Sequence, residues 1–241
     1  MDVSVVICTI NRAHCLKYSL FILKNQVWDK VQIIIVDDGS TDNTRSIVEE
    51  FASQLDILYI YNEKKEYSSP AKARNIGWKV SKAKYICFTD PEVLSPFLKK
   101  SFNYHEEHPK SITTVKPIMM DEVETETFFN YSDRYNWLFG RNIDQFQNPE
   151  NIQIQKRKTW RDNHFSMMPR QALMDVDGVN ENFTMWGFEG IDFIERIIEK
   201  EYSLHTFEDY VYHLWHPAPR DMNKADEQRK KYGVKNCGKQ S

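Results

Sequence analysis

Residues Val31 to Ser40 read VQIIIVDDGS. An almost unbroken apolar, β-branched run ends abruptly in two acids, a glycine and a serine. A strand with one wet face would alternate apolar and polar residues. A continuous run fits a strand buried on both faces, and such strands belong to parallel sheets covered by helices on each side. The flanking segments repeat the pattern. VSVVICT (Val3 to Thr9) is a second short apolar run, and RAHCLKYSLFILKNQ after it puts Leu16, Leu20 and Leu23 on one helical face. GSTDNTRSIVEEFA follows VQIIIVDD with Ile47, Val48 and Phe51 on its buried side, and with Thr41 or Asp42 available as N-cap. ILYIY, SPAKARNIGWKVSKA (with Ala71, Asn75 and Trp78 at helical spacing) and KYICFTD complete the series. This strand and helix rhythm predicts an α/β fold, an open, mostly parallel, doubly wound sheet.

Past Glu92 the rhythm loosens. VLSPFLKKSFNYHEEHP reads as one helix and SITTVKPIM as a strand, and Asp121 to Lys158 has no clean period, so helices and a loop over a cleft are expected there. HFSMMPR reads as a strand and QALMDV as a helical turn ending near Gly178. EGIDFIERIIEKE is amphipathic with Ile191, Ile194, Ile197 and Ile198 on one face, and SLHTFE and YVYHLWH finish the sheet. The chain divides on this reading into a ligand-binding half at 1–117, a second half of the same domain at 118–216, and a charged surface helix and tail at 217–241.

The 241 residues are 41% hydrophobic and 28% charged, which suits a packed globule. A net charge of −3 leaves no basic footprint for nucleic acid. No apolar run approaches the roughly 20 residues of a transmembrane helix, and VSVVICTINR lacks the basic start and apolar stretch of a secretory leader. Four cysteines with no CxxC spacing suit a reduced, cytoplasmic protein rather than a zinc or redox site. Aromatic residues crowd between Phe128 and Trp215, where they fill a core or line a cleft.

In an open parallel sheet the ligand lies beyond the carboxyl ends of the strands. The first strand presents Thr9, Asn11 and Arg12 there, and the second Asp37, Asp38 and Gly39. The third leads to Lys72 and Arg74, and the fourth to Asp90 and Glu92. Each group alone also fits a plainer role: an Asx turn for DDGSTD, a surface ion pair for Arg74, a solvated loop for DPE. Converging at one edge, they make a coherent site. Asp38 can accept from a base or ribose, Arg74 can pair with a diphosphate, and Asp90 with Glu92 can hold a hard divalent cation. Neither GxGxxG nor GxxxxGK(S/T) occurs, so side chains and a cation, not a glycine cradle, would grip a nucleotide.

The ordered series VSVVICTINRAHCLKYSL, IIIVDDGSTDNT, AKARNIGWKVSKAKYICFTDPE and FTMWGFEGIDFIERI resembles family 2 glycosyltransferases of the GT-A fold over roughly residues 2–216, with a C-terminal motif similar to that of galactosyltransferases and N-acetylgalactosaminyltransferases. The resemblance implies that Thr9, Asn11, Arg12 and Asp38 contact the nucleoside of a sugar nucleotide, most often UDP. It implies that Lys72 and Arg74 face the diphosphate or sugar. DPE stands where the family has DxD, so Asp90 would meet the ribose or the metal, and Glu92 would bind Mn²⁺ or Mg²⁺. WGFEGIDF is similar to the WGxED motif, but Gly190 stands where the usual base Asp would be. Glu189 is then the implied catalytic base, with Asp192 second, and Trp186 forms a wall against the donor or acceptor ring. VYHLWHPAP offers His213 as the implied metal ligand and His216 as the alternative.

The resemblance therefore implies a metal-dependent, inverting transfer from a UDP-sugar to a glycan, lipid-linked or protein hydroxyl, with peripheral membrane contact compatible. Three rivals differ in kind. A retaining transferase of the same fold needs no base at Gly190. A nucleotidyltransferase would carry a glycine-rich basic N-terminal loop, which ICTINRAHC lacks. An inactive sugar-nucleotide-binding module would not need Asp90, Glu92, Arg74 and Glu189 together.

Overall fold

A computed structural model describes residues 1–63, 69–130, 165–184, 188–217 and 222–234. Eight strands form one sheet in the order β3-β2-β1-β4-β7-β6-β8-β5. They are β1 (Val3–Thr9), β2 (Val31–Asp37), β3 (Ile57–Tyr61), β4 (Tyr85–Thr89), β5 (Val93–Leu94), β6 (Ser111–Met119), β7 (Phe165–Pro169) and β8 (Ser203–His213). The helices are α1 (Ala13–Lys24), α2 (Thr44–Ala52), α3 (Pro70–Val80), α4 (Leu98–Glu107), α5 (Glu122–Asn130), α6 (Arg170–Asp175), α7 (Glu189–Glu199) and α8 (Met222–Lys231). β3, β2, β1 and β4 run parallel. β7 pairs antiparallel with both β4 and β6, and β6 runs parallel to β8. The expected α/β architecture is present, with a mixed half added beyond β4.

The continuous apolar strands divide their side chains between two cores. Val5, Ile7, Ile33, Ile35 and Cys87 join Leu16 and Leu20 of α1, Val48 and Phe51 of α2 and Leu98 of α4. Val6, Ile34, Val36, Ile86 and Phe88 face the other way, onto Ala71 and Trp78 of α3, Leu173 of α6 and Phe193 and Ile197 of α7. Period-two alternation along each strand produces this partition. α3 lies close against β1, where a Cβ at Gly77 would meet Val6 Cγ1 at 2.3 Å. The chain builds outward from β1 to β3, then crosses back through α3 to β4 on the other side of β1. The crevice between the carboxyl ends of β1 and β4 is therefore the topological switch point, the place where such sheets bind ligands.

Three elements depart from the sequence reading. Residues 93–107 are not one helix. Val93 and Leu94 pair with His213 and Tyr212, and α4 begins only at Leu98, because Pro96 disfavours helical backbone at Ser95. Residues 203–213 are one strand rather than two. A register shift opposite Val115 and Lys116 carries Glu208 and Asp209 outside the ladder, and both acids then pair with lysines, Lys116 and Lys100. α7 buries Glu189, Phe193, Ile194 and Ile197, whereas Ile198 is 38% exposed. The buried stripe is rotated toward the helix start, so that Glu189 shares it. Residues 131–158 of the expected loop lie outside the described residues.

Asn75 fastens α3 to the turn after α6. Its amide donates to the Val179 carbonyl and to Glu181 Oε1, both at 2.8 Å. Its Oδ1 accepts from Val179 N and Trp78 Nε1, both at 2.9 Å. Gly178 turns at φ +71, where a Cβ would lie 2.4 Å from Asn75 Oδ1. Asn75→Ala leaves the buried Val179 amide and carbonyl without this partner. We expect a loss of about 2–4 kcal/mol in urea unfolding, read as a lower midpoint at unchanged slope.

Candidate active site

The crevice is lined from β1 and β2 first. Asn11 sits at φ 51, a left-handed conformation that Asn tolerates better than most residues. There its Oδ1 accepts from Thr41 N at 2.7 Å and Asp42 N at 3.3 Å. Asp42 in turn accepts from Ala13 N and Thr44 N, both at 3.0 Å, so one carboxylate caps the starts of α1 and α2. Burial acts to raise the Asp42 pKa, but the bonds from Thr44 and Ala13 outweigh it and hold the carboxyl low. Asn43 occupies the cap position of α2 but makes no side-chain cap bond.

The two acids ending β2 divide their work. Asp37 is buried and closes the turn, accepting from Ser40 N at 2.7 Å and Tyr59 Oη at 2.6 Å. Asp38 reaches across to both sides of the β3–α3 connection. Its Oδ1 accepts from Asn62 Nδ2 at 2.6 Å and its Oδ2 from Ser69 N at 3.0 Å. Thr9 stands beside them at the end of β1, buried, with an Oγ1 that has no hydrogen-bond partner among the described residues. Lys72 lies on the first turn of α3, half-buried, where its backbone amide donates to Ser69 Oγ.

At the centre is a buried guanidinium. Arg74 Nη2 donates to Asp90 Oδ1 at 3.0 Å, and Nη1 donates to Glu189 Oε1 at 3.2 Å. Three elements meet in this triad: α3, the loop after β4 and the start of α7. Burial acts to lower the Arg74 pKa, but the two carboxylates outweigh it and hold the pKa above the ordinary value. Cys8, beside it at the end of β1, has its thiol pushed up to about 12 by burial, so it is a neutral wall rather than a nucleophile. Glu189 opens α7 behind Phe188, which holds the left-handed φ of 67. Asp192, one turn on, pairs with Arg196 at 2.9 Å. That arginine also bonds the Val176 and Gly178 carbonyls, so Asp192 is tied to the packing of the α6–α7 connection.

Glu92 is placed by the short β5–β8 ladder, in which Val93 faces His213 and Leu214 N donates to the Glu92 carbonyl at 2.9 Å. Its Oε1 is 2.9 Å from His216 Nε2 and 3.8 Å from His213 Nε2. Its Oε2 is buried with no hydrogen-bond partner among the described residues. A buried carboxylate oxygen without a donor costs free energy unless a cation meets it. Glu92, His213 and His216 offer ligand atoms within 4.8 Å of one another, and a carboxylate with imidazoles suits Mn²⁺. The residues present therefore fit a divalent cation. Asp90 flanks the same loop but spends one oxygen on Arg74. Burial acts to raise the Glu92 pKa, yet the His216 hydrogen bond and the His213 charge hold it below the usual range.

The structure thus gathers Thr9, Asn11, Arg12, Asp38, Arg74, Asp90, Glu92, Glu189, His213 and His216 around the crevice, while Trp186 lies outside the described residues. Two features escaped the sequence reading. Arg12 Nη2 lies 2.9 Å from His216 Nδ1 across 204 positions of sequence. His14 sits in the field of Arg12, Asp42, Glu92 and His216, and burial followed by the Arg12 charge holds its imidazole below the ordinary pKa. Its position two residues past Arg12, in the first turn of α1, was the available signal.

The depressed Glu92 pKa has a measurable sign. A carboxyl with a lower pKa folded than unfolded adds stability above the unfolded value, and that stability disappears as pH falls through the folded one. In EDTA, Glu92→Gln should melt below wild type at pH 7. The gap should shrink as pH falls below about 4.3, the free glutamate value. Thermal melts from pH 7 to pH 3 check this, and a gap independent of pH would exclude the assignment.

The family model described as glycosyl transferase family 2 matches residues 4–183, and that described as N-terminal domain of galactosyltransferase matches residues 164–217. The chain is 24% identical to chondroitin synthase of Escherichia coli over 92% of its own length and 36% of that protein. It is 38% identical to validoxylamine A glucosyltransferase of Streptomyces hygroscopicus subsp. jinggangensis over 38% of its length and 22% of that protein. It thus spans about a third or less of these relatives. Among solved structures, S. aureus TarS 1-349 in complex with UDP-GlcNAc superposes with a TM-score of 0.67 at 20% identity, covering 93% of this chain and 61% of that one. The mannosyltransferase PcManGT of Pyrobaculum calidifontis, in complex with GDP-Man and Mn²⁺, gives 0.63 at 18% identity, covering 96% and 61%. With most of its length matched by the family model and its sheet shared with these structures, the chain belongs to glycosyl transferase family 2 and has the GT-A fold.

Proposed function

We propose that this chain transfers a hexose or N-acetylhexosamine from a UDP-sugar to a hydroxyl of a glycan, lipid-linked or protein acceptor, with Mn²⁺ or Mg²⁺ and with inversion at the anomeric carbon. The observation that carries this reading is the buried guanidinium of Arg74, shared between Asp90 and Glu189. In this reading it joins Asp90, on the donor side, to Glu189, on the acceptor side. The UDP-GlcNAc in the TarS complex and the Mn²⁺ in the PcManGT complex support the donor class and the cation. Relatives named chondroitin synthase and hyaluronan synthase support a polymeric glycan as the first acceptor to test.

In this reading Asp38, Asn11 and Thr9 line the nucleoside side of the crevice, and Lys72 and Arg74 face the diphosphate. Trp186, in the segment between Phe183 and Phe188, would wall the sugar. The cation, when bound at Glu92 and the histidines, supplies positive charge against the departing diphosphate. Arg74 adds a preorganised guanidinium to the same task. The acceptor oxygen forms its bond to the anomeric carbon on the face opposite UDP. The bond from that carbon to the diphosphate oxygen breaks, and its electron pair leaves with UDP. Glu189 accepts the hydroxyl proton. Gly190 stands at the usual base position. Glu189 and Asp192 each pair with an arginine, but the partner of Glu189 is Arg74, which also meets Asp90, whereas that of Asp192 is Arg196, which bonds the Val176 and Gly178 carbonyls; Glu189 is therefore the carboxylate assigned the proton.

The test is release of the nucleoside diphosphate from UDP-, GDP- and dTDP-sugars with and without Mn²⁺, followed by NMR of the product anomer. A β-linked product from an α-linked donor is expected, and an α-linked product would establish a retaining enzyme instead. Glu189→Gln should keep UDP binding by calorimetry and lose about 10²- to 10⁴-fold in transfer rate. Transfer at the wild-type rate would assign the proton to another acceptor.

A further inference from the structure

Glu189 is delivered to the crevice by a helix start that its own residues do not favour. An N-cap ordinarily has an extended backbone and a side-chain oxygen that accepts from the first turn. Phe188, at the cap of α7, offers neither: its φ is 67 and its ψ −11, and it makes no side-chain cap bond. A left-handed backbone is strained for a bulky aromatic residue, and such conformations persist only where the surroundings enforce them.

The enforcing contact comes from α8. This helix exposes Glu227, Lys230 and Lys231, but Ala225 is buried, and Gln228, Arg229 and Tyr232, three, four and seven residues on, share its face. Arg229 lays its guanidinium over the Phe188 ring, 5.7 Å from the centroid, within cation–π range. That guanidinium is itself fixed, because Nε donates to Asp226 Oδ1 at 2.8 Å and Nη1 donates to the Val234 carbonyl at 3.3 Å. On the same face Gln228 Nε2 donates to Thr184 Oγ1 at 3.4 Å, and the Tyr232 ring packs 4.9 Å from that of the buried Phe183. One face of α8 thus grips the approach to α7 at Phe183 and Thr184 and again at its cap.

The direction of Glu189 follows from the cap. Asp192 N donates to the Phe188 carbonyl at 3.0 Å, so the first turn of α7 is built on that residue. A relaxation of Phe188 to negative φ would re-aim the turn and draw the Glu189 carboxylate from Arg74, which it meets at 3.2 Å. We propose that Arg229 is a positioning residue: it braces Phe188 in the left-handed conformation and, through it, holds Glu189 at the Arg74 guanidinium. The C-terminal helix is then part of the transfer machinery. The inference rests on the reading of Glu189 as the group that takes the acceptor proton.

Two measurements on the full chain test it. Hydrogen exchange by NMR needs no donor. Arg229→Met, which keeps the reach of the side chain and removes its charge, should speed exchange of the Asp192 amide about 10-fold and leave the β1 and β2 amides unchanged. In transfer assays it should lower kcat by about 10-fold at unchanged donor KM, since it displaces a group needed in the reaction and not in donor binding. Arg229→Lys, which keeps a cation over the ring, should restore most of the rate. In the Phe188→Gly background, where glycine adopts φ +67 freely, Arg229→Met should have little further effect. Unchanged Asp192 exchange in Arg229→Met would overturn the proposal, as would an equal loss of kcat with and without Phe188→Gly, the result expected of a helix that only stabilises the fold. A wild-type chain that transfers from no donor would overturn the reading of Glu189, and the exchange rates would still sustain or overturn the brace.

Discussion

The Arg74 guanidinium is the contact on which the site depends. A charge removed from water must find partners, and in a protein interior it finds them at a cost that only good geometry offsets. Arg74 is buried and meets Asp90 and Glu189 at 3.0 and 3.2 Å. Because α3 is pressed against β1 through Gly77, the guanidinium cannot follow its partners; they must come to it. The loop after β4 and the start of α7 are therefore fixed by one charge, and the two carboxylates keep a set separation before any ligand arrives. Such preorganisation is what electrostatic catalysis requires.

A second constraint works from the other end of the sheet. β5 is two residues long, yet its pairing with Tyr212 and His213 decides where Glu92 points. Glu92 comes from one half of the chain and His213 from the other, and the ladder joins them without a loop between. Tyr212 and Leu214 beside it enter a third apolar cluster with Cys15, Ile22, Leu94 and Phe128. The metal-competent edge is thus backed by packing on the side away from the crevice.

Much of this was legible in the residues. The runs VSVVICT, VQIIIVD and YICFT became β1, β2 and β4 because a strand buried on both faces is nearly continuous in apolar residues. The strand ends named the crevice, since polarity arrives there all at once. Helix boundaries were less legible. Val93 and Leu94 are apolar in helix and strand alike, and only pairing with β8 distinguishes the two. The orientation of α7 was misjudged because four isoleucines suggested a face, whereas the helix turns Glu189 inward with Phe193. Partnerships were the least legible feature. Nothing in TINRAH and LWHPAP announces that Arg12 and His216 touch, because a contact across 204 positions leaves no local period.

The register shift in β8 separates two stretches of the strand. Val115 faces Phe207 and the next residue, Lys116, faces Tyr210, so two residues are looped out. Side chains alternate with a period of two, and an excess of two leaves every later residue on its original face. The pairing of His213 with Met119 fixes its face, so a change of length that stays within the looped-out residues leaves its direction unaltered. A change that instead slid β8 by one position along β6 would turn His213 through the sheet, away from Glu92, although no residue of the site had been altered. The looped-out pair is thus a slack length that isolates the register of the histidine from the register of the apolar start of β8.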